Sequence, residues 1–387
     1  MNRMSYCKKF LLPSIKPNVK FNIDQICGAC HYYEIKLDVK NKIRWMKKKV
    51  ILVTGAAGFI GYHVSKEMMK KADIIVGIDN LNNYYDVNLK KKRLQDLIKI
   101  SKKNKFNFFF YKIDLSDSKA LKTLFNKYKF TYVINLAAQA GVRYSILNPE
   151  SYVKSNLLGF SNLIQQSKIY KIKHFLYAST SSVYGNNTIL PFKESHLADH
   201  PIQFYAATKR SNELIAHAYS SLFKLPTTGL RFFTVYGPWG RPDMALYKFT
   251  KNIIENRKIE VFNYGKHERD FTYVDDIAKA VSKLCFKIPK RKKNWNEENP
   301  SSSNAPFEIF NIGNNKPVEL MHYIKLVEKN LNKKAKIKFL PIQAGDIENT
   351  LSSNVKLNKY INYKPKITTE VGVKKFIDWY KDYYKKN

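Results

Sequence analysis

The sequence predicts a doubly wound α/β protein, a parallel sheet with helices on both faces, joined to a smaller α/β lobe formed by the C-terminal third. Two observations carry that reading. From Lys47 onward short apolar runs alternate with stretches of helical spacing, the pattern of repeated right-handed strand-helix-strand crossovers. After residue 235 the pattern gives way to mixed short elements, a polar turn-rich loop at 295–306 (WNEENPSSSNAP) and a terminal helix around VGVKKFIDWYKDYY. The expected organisation is an extension over 1–45, a sheet domain over 47–235, and a lobe over 236–387 with some segments returning to the sheet domain.

In chain order, KVILVTG (49–55), ADIIVGID (72–79), KFNFFFYKID (105–114), YVINLAA (132–138), KHFLYAST (173–180) and PTTGLRFFTVYG (226–237) read as strands. Between them GYHVSKEMMKK, LKTLFNKY, NLLGFSNLIQQSKIY and YAATKRSNELIAHAYSSLF carry helical spacing. Residues 1–45 lack clear periodicity, and Met46 followed by lysines and a strand reads as a natural start. The extension is therefore expected to be a mis-assigned start or a dispensable segment, with a targeting peptide as the alternative.

Composition removes several function classes. No apolar run approaches the ~18 residues of a membrane span, so no membrane partner is expected. The formal charge of +37 invites a nucleic-acid reading, but 58 of the 68 basic residues are lysines spread along the chain. That is a solvated, lysine-rich surface rather than a phosphate-tracking patch, and no nucleic acid is expected as a partner. Four cysteines make no disulfide framework: Cys7, Cys27 and Cys30 lie in the first thirty residues, CGAC has no second half to complete a metal site, and Cys285 reads as a core thiol. A reducing cytoplasm and no metal are expected.

The first strand ends in TGAAGFIG, with Gly55, Gly58 and Gly61 suited to a tight turn, close approach to a pyrophosphate and close helix packing. Asp79 follows at the end of the second strand, 24 residues beyond Gly55, near the ~20 expected for a carboxylate on the adenosine ribose. It would repel a 2′-phosphate, so NAD is favoured over NADP. The sheet domain thus reads as an NAD-binding Rossmann domain. Asp114 closes the third strand, placed to bond adenine or cap a turn, and the small residues of NLAAQAG would let a cofactor lie across the strand ends.

Tyr205 and Lys209 in YAATK stand one helical turn apart, which alone is common on amphipathic helices. Beside STSSVYG (179–185) and a nicotinamide site the pair gains a use. Lys209 would bind the nicotinamide ribose and draw the tyrosine pKa down from ~10, Tyr205 would take the proton of a substrate alcohol, and Thr180 would hold the same oxygen.

VTGAAGFIG, STSSVYG and YAATK resemble the extended short-chain dehydrogenase/reductase superfamily. More specifically, LNNYYDVNLKKKRL, AAQAGVRYS, GLRFFTVYGPWGRPDMALYKFT, RDFTYVDDIA and FNIGNNKPVELM resemble UDP-glucuronate 4-epimerases and their capsule-biosynthesis relatives, from about Lys47 to the C-terminus. The resemblance implies NAD contacts at Gly55, Gly58, Phe59, Ile60, Gly61, Asp79, Asn80, Asn83, Asp114 and Leu115. Ala137, Ala138 and Asn156 would lie around the nicotinamide half, with Tyr205 and Lys209. It implies a catalytic trio of Thr180, Tyr205 and Lys209, and substrate contacts at Thr234, Arg241, Arg269, Gln343 and Asp346, with Arg269 on the diphosphate and Asp346 on the uridine ribose. Gln343 departs from the galactose-epimerase branch, which carries arginine there. A homodimer paired through the helices at 156–170 and 205–223 is also implied, with Leu157, Phe160, Leu163 and Ile164 as interface or ordinary core.

Within that resemblance, dehydratases place Asp-Glu after the threonine and decarboxylases a Glu, whereas this chain has Ser181 and Ser182, neither an acid at neutral pH. Simple epimerisation remains, through a transient 4-keto sugar with NAD regenerated each cycle, for polysaccharide precursor supply. Arg241 offers a planar fork for a carboxylate and, with Thr234, would hold the C6 carboxylate; the plainer alternative is a loop arginine paired to Asp243. UDP-N-acetylglucosamine, its uronic acid and UDP-glucose stay open as substrates, and an NAD-binding scaffold is the non-enzymatic alternative.

Overall fold

The computed structural model describes residues 48–385, and the extension at 1–45 with Cys7, Cys27 and Cys30 lies outside the described residues. Six strands come from the first two thirds of the chain: β1 (Val50–Thr54), β2 (Ile74–Asp79), β3 (Phe108–Lys112), β4 (Tyr132–Asn135), β5 (His174–Thr180) and β6 (Thr227–Phe232). With β10 (Phe307–Ile312) they form a seven-stranded, wholly parallel sheet in the order β10-β6-β5-β4-β1-β2-β3. The order reverses between β1 and β4, which leaves a crevice beyond the carboxyl ends of those strands.

Side-chain alternation on β1 shows why the strands read as continuous apolar runs. Ile51 and Val53 enter the core on one face, and Val50 and Leu52 enter the core on the other. On the first face lie α1 (Phe59–Met68), α2 (Val87–Lys103) and α7 (Val274–Cys285); on the second lie α3 (Ser118–Tyr128), α4 (Gly159–Ile169) and α5 (Phe204–Phe223). The caps follow local chemistry: the Asp86 carboxylate accepts from Asn88 N–H at 2.8 Å to open α2, and Asp117 accepts from Ala120 N–H at 2.9 Å to open α3. Cys285 is buried in the core as a free thiol.

The expected single strand over 226–237 divides at Phe233. Its second half, β7 (Thr234–Tyr236), leaves the main sheet and pairs in parallel with β9 (Glu268–Tyr273), which carries β11 (Pro317–Glu319) on its other edge. Phe233 N–H still bonds Ile312 carbonyl at 3.2 Å, so the break is a change of partner rather than a loss of pairing. A third core gathers α6 (Ala245–Ile254), β8 (Lys258–Val261), α8 (Leu320–Leu331) and α10 (Thr369–Lys385), with β12 (Lys336–Phe339) beside β8. The last helix to be placed, α9 (Val355–Ile361), packs Leu357 into the first core.

Candidate functional site

A cavity of about 410 Å³ runs along the crevice at the strand ends, from the turn after β1 to the region between β5 and β7. At its mouth Gly55 takes φ +69°, Gly58 N–H bonds Gly55 carbonyl at 2.9 Å, and a Cβ on Gly61 would stand 1.9 Å from that same carbonyl. Only glycine lets α1 come this near the turn, and its N-terminus then faces the cavity as an anion site. Phe59 and Ile60 complete this part of the wall.

At the tip of β2 the Asp79 carboxylate accepts from Leu81 N–H at 2.8 Å and Ala57 N–H at 3.2 Å. Desolvation raises its pKa, which the two backbone bonds and the charges of Lys90 and Arg93 only partly offset. Asn80 donates to Asp114 at 2.9 Å, and Ser116 gives Asp114 both its N–H and its hydroxyl. Burial works against the Asp114 charge, yet these bonds hold its carboxyl below the usual range. Asn80, Asn82, Tyr84, Tyr85 and Lys90 form the wall here with Leu115, and Asn83 is exposed beside them. Ala137 and Ala138 line the centre. Asn156, inside a π-helical turn at Val153–Leu158, is buried and fully engaged: it holds Gln139 N–H and carbonyl at 2.8 and 3.0 Å and Thr208 at 3.0 Å. It fixes the loop after β4 against α5.

Thr180, Tyr205 and Lys209 meet on the wall, with Ser181 and Ser182 beside them. Thr180 ends β5 and caps the following 3₁₀ turn through Ser182 N–H at 3.2 Å. Desolvation raises the Tyr205 phenol above 10.0, and the pull back toward the phenolate comes from the Arg241 charge and the hydrogen-bonding Thr180 hydroxyl. The sequence reading placed that pull on Lys209. Lys209 is itself desolvated, its pKa lowered to about 8 against the opposing influence of Glu213 one turn further on. Glu213 is a buried hub: it accepts from Ser179 at 2.6 Å, from Arg231 at 2.9 Å on both oxygens, and from Arg210 at 2.9 Å. It pins the strand end before Thr180 to the helix bearing Tyr205. Its i+4 spacing from Lys209 was the available sequence signal; its partners on β5 and β6 were not.

Thr234 and Arg241 line the far end. Arg241 donates through Nε to Asp243 at 2.9 Å and through Nη2 to the second oxygen, with Tyr84 hydroxyl donating to the same carboxylate at 3.2 Å. The plainer pairing considered above is thus present, in a guanidinium that still faces the cavity. Arg269, Gln343 and Asp346 lie together beyond this wall. Arg269 donates to the carbonyls of Glu268 and Glu348 at 3.1 and 2.6 Å, Asp346 N–H bonds Gln343 carbonyl at 3.1 Å, and Arg143 reaches Asp346 at 3.3 Å. Gln203 donates to Gly345 carbonyl, tying the same loop to the residues before α5. Among the described residues no group of three or more His, Cys, Asp or Glu is arranged to hold a metal.

Comparison with known proteins agrees with this geometry. The profile of the NAD dependent epimerase/dehydratase family matches residues 51–313. Protein CapI of Staphylococcus aureus is 49% identical over 338 residues, covering 87% of this chain and 99% of that one. A probable UDP-glucuronate 4-epimerase of Rhizobium meliloti is 42% identical over 338 residues, 87% of this chain and 98% of its own. The crystal structure of UDP-glucuronic acid 4-epimerase from Bacillus cereus, in complex with UDP-glucuronic acid and NAD, superposes with a TM-score of 0.77 at 32% identity, covering 87% of this chain and all of that one.

Proposed function

The chain belongs to the NAD dependent epimerase/dehydratase family, and from that premise we propose that it interconverts UDP-glucuronate and UDP-galacturonate, with Thr180, Tyr205 and Lys209 at the reacting carbon. NAD is the cofactor, and the residues present fit it. The Gly55, Gly58 and Gly61 turn leaves a cradle that side chains would fill, and a half-buried carboxylate waits at the tip of β2. When bound, NAD supplies the acceptor and donor of hydride for the sugar C4.

The chain's own residues do the rest. Tyr205 takes the proton of the 4-hydroxyl and returns it to the same oxygen after the sugar has turned its other face to the cofactor, Thr180 holds that oxygen, and Lys209 supports the phenolate. Because burial alone keeps Tyr205 protonated, its ionisation depends on positive charge brought beside it. Arg241 and Thr234 receive the C6 carboxylate and keep the 4-keto acid from the geometry that expels CO2. Arg269 and Asp346 take the diphosphate and the uridine ribose. The observation that carries the choice of reaction is the pair Ser181 and Ser182 next to Thr180 on the cavity wall. Neither can serve as the acid or base that dehydration at C5 and C6 needs. A second reading, epimerisation of a neutral sugar such as UDP-glucose, draws support from the Asp243 carboxylate already bonded to Arg241.

The test is incubation of the purified protein, without added NAD, with UDP-glucuronate, followed by NMR of the sugar. UDP-galacturonate is the expected product. A pentose would assign decarboxylation, and turnover of only UDP-glucose or UDP-N-acetylglucosamine would remove the carboxylate role of Arg241.

The finer reading includes a homodimer and a cytoplasmic place in polysaccharide precursor supply. Phe160, Leu163 and Ile164 are core, but Leu158, Ile169, Leu214, Leu222 and Phe223 on or beside α4 and α5 are 46–71% exposed apolar side chains. A second copy would cover them. No helix among the described residues is long and apolar enough to cross a membrane.

A further inference from the structure

We propose that Asp243 is a positioning residue that acts through Arg241: it aims the guanidinium at the sugar and offsets its charge on the reacting centre. This rests on the reading of Arg241 as the sugar-facing cation. Three observations carry it. The pair is half sheltered, with side-chain exposures of 19% for Arg241 and 27% for Asp243, so its charges act with little screening. Asp243 takes Nε and Nη2 of the fork, which turns the Nη1 side of the plane away from the loop. And Tyr84, whose ring centroid lies 5.9 Å from the Arg241 guanidinium carbon, donates its hydroxyl to Asp243 at 3.2 Å, fixing the carboxylate from the opposite wall.

Around Arg241 stand Asp243 on its own loop, Tyr84 and Tyr85 before α2, Lys90 on α2, Tyr152 before the π turn and Tyr205 on α5. Asp243 is the carboxylate in that set. The Arg241 charge, together with the Thr180 hydrogen bond, draws Tyr205 toward its ionised form, against the desolvation that holds it back. A carboxylate bonded to Arg241 weakens that draw. Asp243 therefore works on two properties at once, the grip on a sugar acid and the readiness of Tyr205 to accept a proton. A substrate carboxylate arriving at Arg241 adds a second negative charge to an already neutral pair. The site accordingly trades base strength for acid recognition, and Asp243 sets where that trade lies.

The experiment measures kcat against pH for wild type, Asp243→Asn and Asp243→Glu, on UDP-glucuronate and on UDP-glucose. With a tyrosinate base the rate rises as pH climbs through the Tyr205 pKa. Removing the negative charge should move that limb down by about half a unit, about threefold in rate at any pH below it, on whichever sugar is used. Asp243→Glu, which keeps the charge, should leave the limb where it stands in wild type. In an Arg241→Met background Asp243→Asn should no longer move the limb, because the effect passes through Arg241. Should Asp243→Asn not keep the wild-type unfolding temperature and bound NAD, Asp243→Ser is read in the same way. A limb that stays fixed in the neutralised variant, or that moves equally without Arg241, overturns the proposal. Failure of wild type to turn over UDP-glucuronate would instead remove the sugar-acid reading, and the limb on UDP-glucose would still report on Asp243.

Discussion

The two halves of the site are built from different materials. In the cofactor half backbone takes the larger part: Asp79 is answered by two N–H groups, Asp114 by the Ser116 N–H together with the side chains of Asn80 and Ser116, and the glycine turn by its own carbonyl. In the sugar-nucleotide half charged side chains pair with one another, Arg241 with Asp243 and Arg143 with Asp346, while Arg269 and Gln203 reach backbone carbonyls of the facing loop. There, too, buried atoms wait without a partner among the described residues: Oε1 of Gln203, Nε2 of His267 and Oε1 of Gln343. Backbone geometry cannot rearrange cheaply, whereas side-chain pairs can exchange partners. One half is thus preformed for a ligand that stays, and the other must re-pair each time a ligand arrives.

Breaking the centre where the halves meet should have the largest effect. Tyr205→Phe is expected to lower kcat by about a thousandfold or more while leaving the unfolding temperature and bound NAD unchanged, as read by NMR turnover and absorbance of the purified protein. Next comes the preformed half. Gly61→Ala must displace the Gly55 carbonyl, which stands 1.9 Å from the new Cβ, at a cost of about 1–3 kcal/mol. The purified protein should carry little NAD and melt lower, and unaltered NAD content would show the turn to be more yielding than its geometry suggests. In the adaptable half Arg269→Met should remove about 2 kcal/mol of binding, about thirtyfold in KM, with kcat little changed. Equal losses in KM and kcat would place Arg269 nearer the chemistry than the diphosphate.

A pH series sharpens the comparison further. Lys209 titrates near 8 because desolvation outweighs the Glu213 charge, so the positive charge proposed to support the phenolate is present below that pH. On the alkaline side kcat/KM of the enzyme with its NAD should fall as pH rises through about 8. For stability the sign is opposite. Between about 8 and the ordinary 10.5 the unfolded chain holds more protons than the folded one, so this group makes folding more favourable as pH rises. The smallest effect on activity belongs to the surface: Leu214→Asp with Leu222→Asp should yield monomers by sedimentation velocity with turnover per protomer retained.

The preformed half was legible in local patterns of the sequence, whereas the adaptable half could be named only through the resemblance, for the same physical reason. Glycines, strand-end carboxylates and two-faced strands impose local patterns, so TGAAGFIG, Asp79 and the strands of the first two thirds could be read in place. Helix α2 escaped because its solvent face is a run of lysines, and its apolar side reduces to Leu89, Leu94 and Leu97. The turn at Phe233 escaped because both halves of RFFTVYG are equally apolar and only the choice of sheet partner separates them. In the loop after β2 it is Asn82 that lines the cavity, next to the expected Asn83. Arg241 and Asp243 could be named as a pair, but whether the pair faced a cavity depended on β7 leaving the main sheet.

Strand β10 reaches the main sheet only after the first part of the second lobe, from β7 through α7, has been made, and it pairs along the whole of β6, from Thr227 to Phe232. On the ribosome, then, the sheet domain emerges with β6 as a bare edge and waits through some seventy further residues before its outermost strand is synthesised. A chain interrupted before residue 307 would present that apolar edge to any neighbour. The two lobes are bound by order of synthesis as well as by contact.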